Sequence, residues 1–285
     1  MADDVLFEKR SDGVGLITLN RPESMNAMGG KLMPMLMQHL EQCRWDKEVR
    51  AVVLTGNGRA FCAGGDVKEM GQRRAPGEEG PARPAGGGDG GQPASIIGAM
   101  DEAVAGLRES QFRTSYVLHT MPKPTIAMVN GYAVGAGLSL ALACDLRVAS
   151  DQARFGTAFR NVGLSGDFGG SFFLPRLVGM GKARELYFTA EMIDANEALR
   201  LGMVNRVAPH DQLAEGTLAF AAKLAAGPTG TYARMKQNLN LAQHVDLKTL
   251  LDVEALHMRL SGMSNDSREA VRAFIEKREP KFQGL

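Results

Sequence analysis

The feature that most constrains this chain is an uninterrupted run of apolar and small residues from Tyr132 to Cys144, which ends at Asp145. A membrane-spanning helix needs about 20 such residues, so this run is too short to cross a bilayer. Its second half, from Gly135 onwards, alternates glycine, alanine, leucine and serine without a charged position. A helix with no polar face must be buried on all sides, so the sequence predicts a core that encloses a whole helix.

Length and charge are compatible with such a core. A chain of 285 residues can bury roughly 75% of its unfolded surface, and one large domain is expected. The net charge of +1 gives no footprint for nucleic acid or for an anionic membrane surface. The three widely spaced cysteines and the acidic N-terminus, which has no apolar segment after it, predict a cytoplasmic protein without disulfides or a metal cluster.

The apolar periodicity predicts an α/β fold in which strand–helix units come first and helices dominate later. A hairpin is expected at 5–7 and 14–19 around Asp12-Gly13, with further strands at 49–55, 125–129 and 145–150. Helices are expected at 31–46, 95–119, 135–144, 170–177, 182–189, 195–201, 212–226, 231–243, 247–261 and 267–277. We therefore expect a core over 1–200 and a helical C-terminal region over 201–285.

The window 71–91 differs in composition from everything around it. It holds eight glycines and three prolines and almost no large apolar side chain. Such a stretch buries too little surface to offset its ordering entropy, so an insertion loop is expected at 71–94. It is interpreted either as an ordinary surface loop or as a lid that shapes substrate preference.

Two glycine-rich junctions are the candidate sites of chemistry, because the usual phosphate-loop, dinucleotide, zinc-protease and serine-hydrolase signatures are absent. One is AFCAGGDVKEM at 60–70, and the other is VNGYAVGAGL at 129–138. In each, a strand meets a helix start, where backbone N–H groups are unpaired. Two such ends brought together could stabilise a developing oxyanion, although glycine is also common at tight turns that have no function.

The two junctions together resemble the crotonase superfamily, the enoyl-CoA hydratase and isomerase family. The likeness extends through LNRPESMNAM, ARFGTAFRNVGLSGDFGGSFFLPRLVGMGKARELYFTA and AFIEKREPKF, and covers nearly the whole chain except the insertion. It implies a crotonase-like spiral of ββα repeats with a helical C-terminal trimerisation region, assembled as a trimer or a dimer of trimers. It also implies an acyl-CoA substrate, with coenzyme A entering as part of that substrate and no separate cofactor.

The resemblance also implies site residues, which are carried over by position. The thioester carbonyl would lie between the N–H groups of Gly65 and Ala136. Substrate contacts would fall at Glu23, Ser24, Met25, Ala63, Gly64, Asp66, Val67 and Lys68. Phe274 and Lys277 match C-terminal positions that reach the nucleotide, often from a neighbouring subunit. Lys68 and Lys277 are equally compatible with ordinary surface charges.

The acid–base positions depart from the pattern of the family's hydratases. Their two glutamates align with Ser139 and Phe159, neither of which can transfer a proton as a carboxylate would. Asp167 follows eight residues after Phe159, between glycines and aromatic residues. It is either the N-cap of the next helix or a catalytic carboxylate, since several branches of the superfamily carry an aspartate there.

Four functions remain open on this basis. Isomerisation is favoured, because one carboxylate can move a proton between two carbons, and burial near Phe159, Phe168 and Phe172 would raise its pKa. The alternatives are hydration with atypical groups, hydrolysis or dehalogenation with Asp167 as nucleophile, and acyl-CoA binding without catalysis. The dehalogenase reading is weaker, because the position that matches its histidine falls near Phe112.

Overall fold

The computed structural model describes residues 3–66 and 96–284, with only the backbone given for 96–99. The predicted insertion at 71–94 lies outside this part of the chain. The strands are β1 (Val5–Lys9), β2 (Val14–Leu19), β3 (Ala51–Gly56), β4 (Ala60–Cys62), β5 (Thr125–Val129), β6 (Tyr132–Val134), β7 (Leu146–Ser150), β8 (Arg154–Gly156), β9 (Ile193–Asp194) and β10 (Arg206–Ala208).

The helices confirm the prediction of a helix-rich second half. They are α1 (Leu32–Trp45), α2 (Ile96–Arg113), α3 (Ser115–Thr120), α4 (Ala136–Ala143), α5 (Gly170–Val178), α6 (Met180–Thr189), α7 (Ala195–Arg200), α8 (Leu213–Ala225), α9 (Thr229–Leu241), α10 (Leu247–Gly262) and α11 (Asn265–Ile275). Short 3₁₀ turns occur at Pro22–Ser24, Phe159–Val162 and His210–Gln212. In the described part of the chain, no helix combines the length and the apolar character needed to cross a membrane.

A six-stranded sheet in the order β1-β2-β3-β5-β7-β10 forms the centre of the fold. The β1–β2 hairpin is antiparallel, as Asp12-Gly13 predicts, and every other neighbouring pair is parallel. Strand β3 is buried at every position, because its two faces pack against different layers. Helix α8 packs on one face of the sheet. Helices α1 and α4 pack in a larger cluster of buried apolar residues on the opposite face.

A second sheet, in the order β4-β6-β8-β9, lies outside the sequence prediction. Its strands are two or three residues long, which is too short for any apolar period to register. Consecutive strands alternate between the two sheets: β3, β5 and β7 lie in the first, and β4, β6 and β8 in the second. In the described chain, the next helix after β4 is α2, and the next helix after β6 is α4. This repeated unit is the crotonase-like ββα spiral.

Two helix predictions are informative about the site. All eight residues of α4 are buried, as the apolar run predicts. The single helix expected over 95–119 is instead two helices, because the chain breaks at Thr114. The side chain of Thr114 is buried and its hydroxyl donates to the Ser110 carbonyl at 2.6 Å, a bond that competes with continued helix.

Candidate active site

The first glycine junction follows β4 and is held by the segment just after the 3₁₀ turn at 22–24. The Ala63 N–H donates to the Met25 carbonyl at 3.0 Å, and the Met28 N–H donates to the Gly64 carbonyl at 2.7 Å. Gly64 has φ +90°, a conformation that favours glycine. No acceptor for the next amide, the Gly65 N–H, lies within the described residues. The junction therefore presents one free backbone donor.

The second junction, between β6 and α4, lies directly against the first. Gly135 has φ +55° and ψ −127°, and Ala136 is the first residue of α4, so its N–H has no acceptor within the helix. A Cβ added to Gly64 would lie 3.4 Å from the Ala136 nitrogen, so glycine keeps the approach to that amide open. The structure thus brings the two amides predicted for an oxyanion hole into one place.

Asp167 lies in a loop of left-handed residues that leads into α5. Gly166, Phe168 and Gly169 have φ of +103°, +50° and +82°. The N-cap alternative for Asp167 is wrong, because Gly169 occupies the cap position and the Asp167 backbone carbonyl, not its carboxylate, accepts from the Gly170 N–H. The helix begins at Gly170 as predicted, but the positive φ of Phe168 and Gly169 places a glycine, and not Asp167, at its cap position.

Within the described residues, the buried Oδ1 atom of the Asp167 carboxylate has no hydrogen-bond partner. Burial raises the pKa of Asp167 to about 6, because an apolar environment disfavours the charged form. An unpartnered buried carboxyl oxygen costs free energy, and a purely structural aspartate would normally be satisfied. The loop therefore holds a carboxyl group whose pKa suits proton transfer near neutral pH.

Tyr187 and Ser139 lie beneath this loop. A Cβ added to Gly170 would lie 2.5 Å from both the Ser139 hydroxyl and the Tyr187 hydroxyl, and the Tyr187 ring stacks on Phe159 with centroids 6.1 Å apart. Burial, followed by the nearby Asp167 charge, raises the pKa of Tyr187 to about 12. Ser139 is itself buried in α4. The position that carries a glutamate in the family's hydratases is thus packed tightly here.

One cavity of about 540 Å³ is lined by most of the residues predicted to take part in the reaction. Gly65, Ala136, Asp167 and Phe159 all line it. The described lining residues are Met28, Met33, Ala63, Gly64, Gly65, Glu102, Ala103, Gly106, Leu107, Ser110, Val134, Gly135, Ala136, Ala158, Phe159, Asn161, Val162, Leu164, Asp167 and Phe168. Two amides and one carboxyl oxygen that have no partner among the described residues therefore line a single, largely apolar cavity.

Other predicted residues lie elsewhere. Asp66 is buried and pairs with Arg21 at 3.4 Å, so its side chain holds the loop and does not line the cavity. Glu23, Ser24 and Met25 lie on the turn that supports the first junction. Phe274 is 85% exposed on α11, and neither it nor Lys277 lines the described cavity. Val67 and Lys68 lie outside the described residues.

Phe172 was expected among the apolar neighbours of Asp167, and that expectation is wrong. Its ring instead packs edge-on against His119 and Phe173, stacks on His244, and lies under the Arg176 guanidinium. Four residues lie between Asp167 and Phe172, and the turn into α5 directs the two side chains to different cavities. Phe159 and Phe168 do line the cavity with Asp167.

Sequence reasoning missed a second carboxylate, Glu102, which lines the same cavity from α2 and is exposed. Gly106 and Ser110 follow it at four-residue intervals on that helix and also line the cavity. This spacing was readable in the sequence. Because these residues are polar or small, apolar periodicity does not mark the face of α2 that they share.

The chain belongs to the enoyl-CoA hydratase/isomerase family, whose model matches residues 9–84 and 89–284. A protein named "Probable enoyl-CoA hydratase" from Rhodobacter capsulatus is 38% identical over 274 residues, 96% of each chain. The 1,2-epoxyphenylacetyl-CoA isomerase of Escherichia coli is 36% identical over 274 residues, 95% of each chain. The crystal structure of enoyl-CoA hydratase from Bacillus anthracis superposes with a TM-score of 0.85 at 30% identity, covering 99% of this chain and 100% of that one.

These likenesses establish a crotonase-fold enzyme of acyl-CoA thioesters. Both a hydratase and an isomerase are among the similar proteins. The reaction of this chain therefore has to be argued from its own acid–base groups.

Proposed function

We propose that this enzyme moves the double bond of an enoyl-CoA by an oxyanion-stabilised enolate, with Asp167 as the general base. The observation that carries the proposal is the buried, unpartnered Asp167 oxygen on the wall of the cavity that also presents the Gly65 and Ala136 amides. The positions that match the two glutamates of the hydratases are a buried serine and a phenylalanine, so one carboxylate has to do both halves of the proton transfer.

The mechanism follows from these groups. The thioester oxygen accepts from the Gly65 and Ala136 N–H groups, which stabilise negative charge as a proton leaves the carbon next to the carbonyl. Asp167 takes that proton and returns it two carbons further along, at the γ position. The enolate electrons re-form the carbonyl as the double bond moves into conjugation. The apolar walls keep the carboxylate poorly solvated, so it remains a useful base.

Hydration is the second candidate, because the described cavity wall carries a second carboxylate, Glu102. In this reaction Asp167 would activate water and another group would deliver the α proton. Glu102 is exposed, whereas the Asp167 oxygen is buried, so Glu102 is the less suited of the two to a desolvated proton transfer.

The experiment that tests the proposal compares two substrates with the wild-type enzyme. A 3-enoyl-CoA and crotonyl-CoA are incubated separately, and the products are followed by proton NMR. We expect conversion of the 3-enoyl thioester to the 2-enoyl isomer, with hydration of crotonyl-CoA much slower. Faster formation of 3-hydroxybutyryl-CoA than of the 2-enoyl isomer would show that the enzyme is a hydratase and not an isomerase.

The pH dependence of the rate provides a separate test. A general base works only when ionised, so kcat/KM for isomerisation should rise with pH to a plateau, with its midpoint near the Asp167 pKa of about 6. An ordinary aspartate would give a midpoint near 4. A profile that is flat down to pH 5 would show that no carboxylate of raised pKa limits the rate.

The free energy of unfolding should also depend on the ionisation of Asp167, but it should fall as pH rises. The folded-state pKa of Asp167 lies above its unfolded value, so the ionised side chain destabilises the native protein at neutral and higher pH. Asp167→Asn should therefore raise the midpoint of urea unfolding at pH 8, and the difference from wild type should shrink as pH falls from about 6 to about 4 and be absent below that. Equal unfolding midpoints for the two proteins at pH 8 would contradict the burial of this charge.

A further inference from the structure

The loop that carries Asp167 has few bonds of its own. Across residues 165–169, the only backbone N–H with an acceptor among the described residues is that of Phe168. Its acceptor is the side-chain oxygen of Gln111 on α2, at 2.9 Å. Since Phe168 follows Asp167 directly, this hydrogen bond lies next to the reacting carboxylate.

The conformation of the loop makes that hydrogen bond important. Phe168 has φ +50°, a left-handed conformation that costs a non-glycine residue about 1–2 kcal/mol. Asp167 thus lies between two left-handed residues, Gly166 and Phe168. A rotation at either one would turn the carboxylate away from the cavity, so something has to hold Phe168 in place.

Gln111 is well placed to do so. It is half-buried near the end of α2, three residues before the break at Thr114, and its backbone carbonyl accepts from the Thr114 N–H at 3.4 Å. The same helix contributes Glu102, Gly106 and Ser110 to the cavity wall. One rigid element therefore both contacts the space for the acyl group and holds the base.

We propose that Gln111 is a positioning residue, whose side-chain oxygen holds the Phe168 N–H and so fixes the direction of the Asp167 carboxylate. The inference rests on the proposed role of Asp167 and extends it to a residue that does not itself touch substrate. A glutamine suits this place, because its oxygen accepts the bond without adding a second negative charge beside Asp167.

Three variants test this role. Gln111→Met keeps the length of the side chain and removes the acceptor. Gln111→Glu keeps an acceptor and adds charge. Glu109→Gln is the matched control, because it lies on the same helix and only breaks an exposed pair with Arg113 at 3.1 Å.

For Gln111→Met we expect kcat for 3-enoyl-CoA isomerisation to fall by roughly 10-fold or more, with KM changed by less than about twofold. Gln111→Glu should recover most of that rate at high pH. The pH midpoint of Gln111→Glu should be shifted upward, because the new carboxylate puts a second negative charge near Asp167, on a cavity whose wall also carries Glu102. Tyr187, whose pKa is about 12, stays neutral over this pH range. Glu109→Gln should behave as wild type. A wild-type kcat and pH midpoint in Gln111→Met would overturn the proposal.

A measurement that needs no turnover separates this inference from the reaction itself. The carboxyl carbon of Asp167 is followed by ¹³C NMR through a pH titration in wild type and in Gln111→Met. We expect the pKa of Asp167 to drop towards its ordinary value in the variant, as the released loop exposes the group to water. An unchanged titration overturns the positioning role, whereas a changed titration in an enzyme that does not isomerise 3-enoyl-CoA overturns the proposed function alone.

Discussion

Replacing Asp167 by asparagine should abolish most isomerase activity while leaving the binding of acyl-CoA nearly intact. Asparagine has the same shape but cannot accept a proton, and general acid–base groups contribute roughly 10²–10⁴-fold to rate. The Gly65 and Ala136 amides do not depend on the side chain at 167, so the thioester should still bind. We expect kcat on 3-enoyl-CoA to fall within that range and the Kd for a non-reactive acyl-CoA to stay within about twofold of wild type.

Glu102→Gln is the matched control for this prediction. It neutralises the other carboxylate among the described lining residues and should leave kcat within about threefold of wild type, because an exposed group at the edge of the cavity is well solvated. A large loss of kcat in Glu102→Gln, together with near-normal turnover in Asp167→Asn, would show that the base is Glu102 on α2 and would contradict the mechanism.

Replacing Gly137 by alanine should strongly disrupt the fold of the site. A Cβ at this position would lie 2.1 Å from the Cys62 carbonyl oxygen and 2.7 Å from its carbonyl carbon. Both are backbone atoms of β4, which pairs with β6, so neither can move without separating the two junctions. We expect Gly137→Ala to destabilise the protein by about 3 kcal/mol or more, measured by urea unfolding.

Activity should fall with stability in this variant, because the Gly65 and Ala136 amides depend on the same close approach. Gly216→Ala is the control, since this glycine lies in α8 with no atom within 4 Å of an added Cβ. Alanine there should stabilise the helix by roughly 0.5–1 kcal/mol and leave the rate unchanged. Equal stability of Gly137→Ala and wild type would mean that the two junctions are not packed as described.

The sequence carried much of the fold because its strongest signals are local and continuous. The β1–β2 hairpin follows from a turn pair, the all-buried α4 from a continuous apolar run, and the helical C-terminal region from apolar periods. The second sheet could not be predicted, because strands such as Ile193–Asp194 are shorter than any period. The break at Thr114 was hidden for a different reason: a buried hydroxyl, not a glycine or proline, causes it.

The site could be predicted only where the position of a residue in the chain indicates its role. The resemblance to the family points to Gly65, Ala136 and Asp167, and these three residues line one cavity. The order of residues does not reveal that the Asp167 carboxylate leaves α5 uncapped. The backbone φ angles place Gly169 at the cap position instead. The support from Gln111, some 57 positions away in sequence, depends on a side-chain contact between distant segments.

The most direct test of a single shuttling base is isotope transfer within the substrate. A 3-enoyl-CoA carrying deuterium at C-2 is converted by wild type in a single turnover, and the 2-enoyl-CoA product is examined by NMR. The account predicts that part of the deuterium appears at C-4, because Asp167 returns the atom it removed. A product whose C-4 carries hydrogen from solvent alone, formed equally fast by Asp167→Asn, would contradict it.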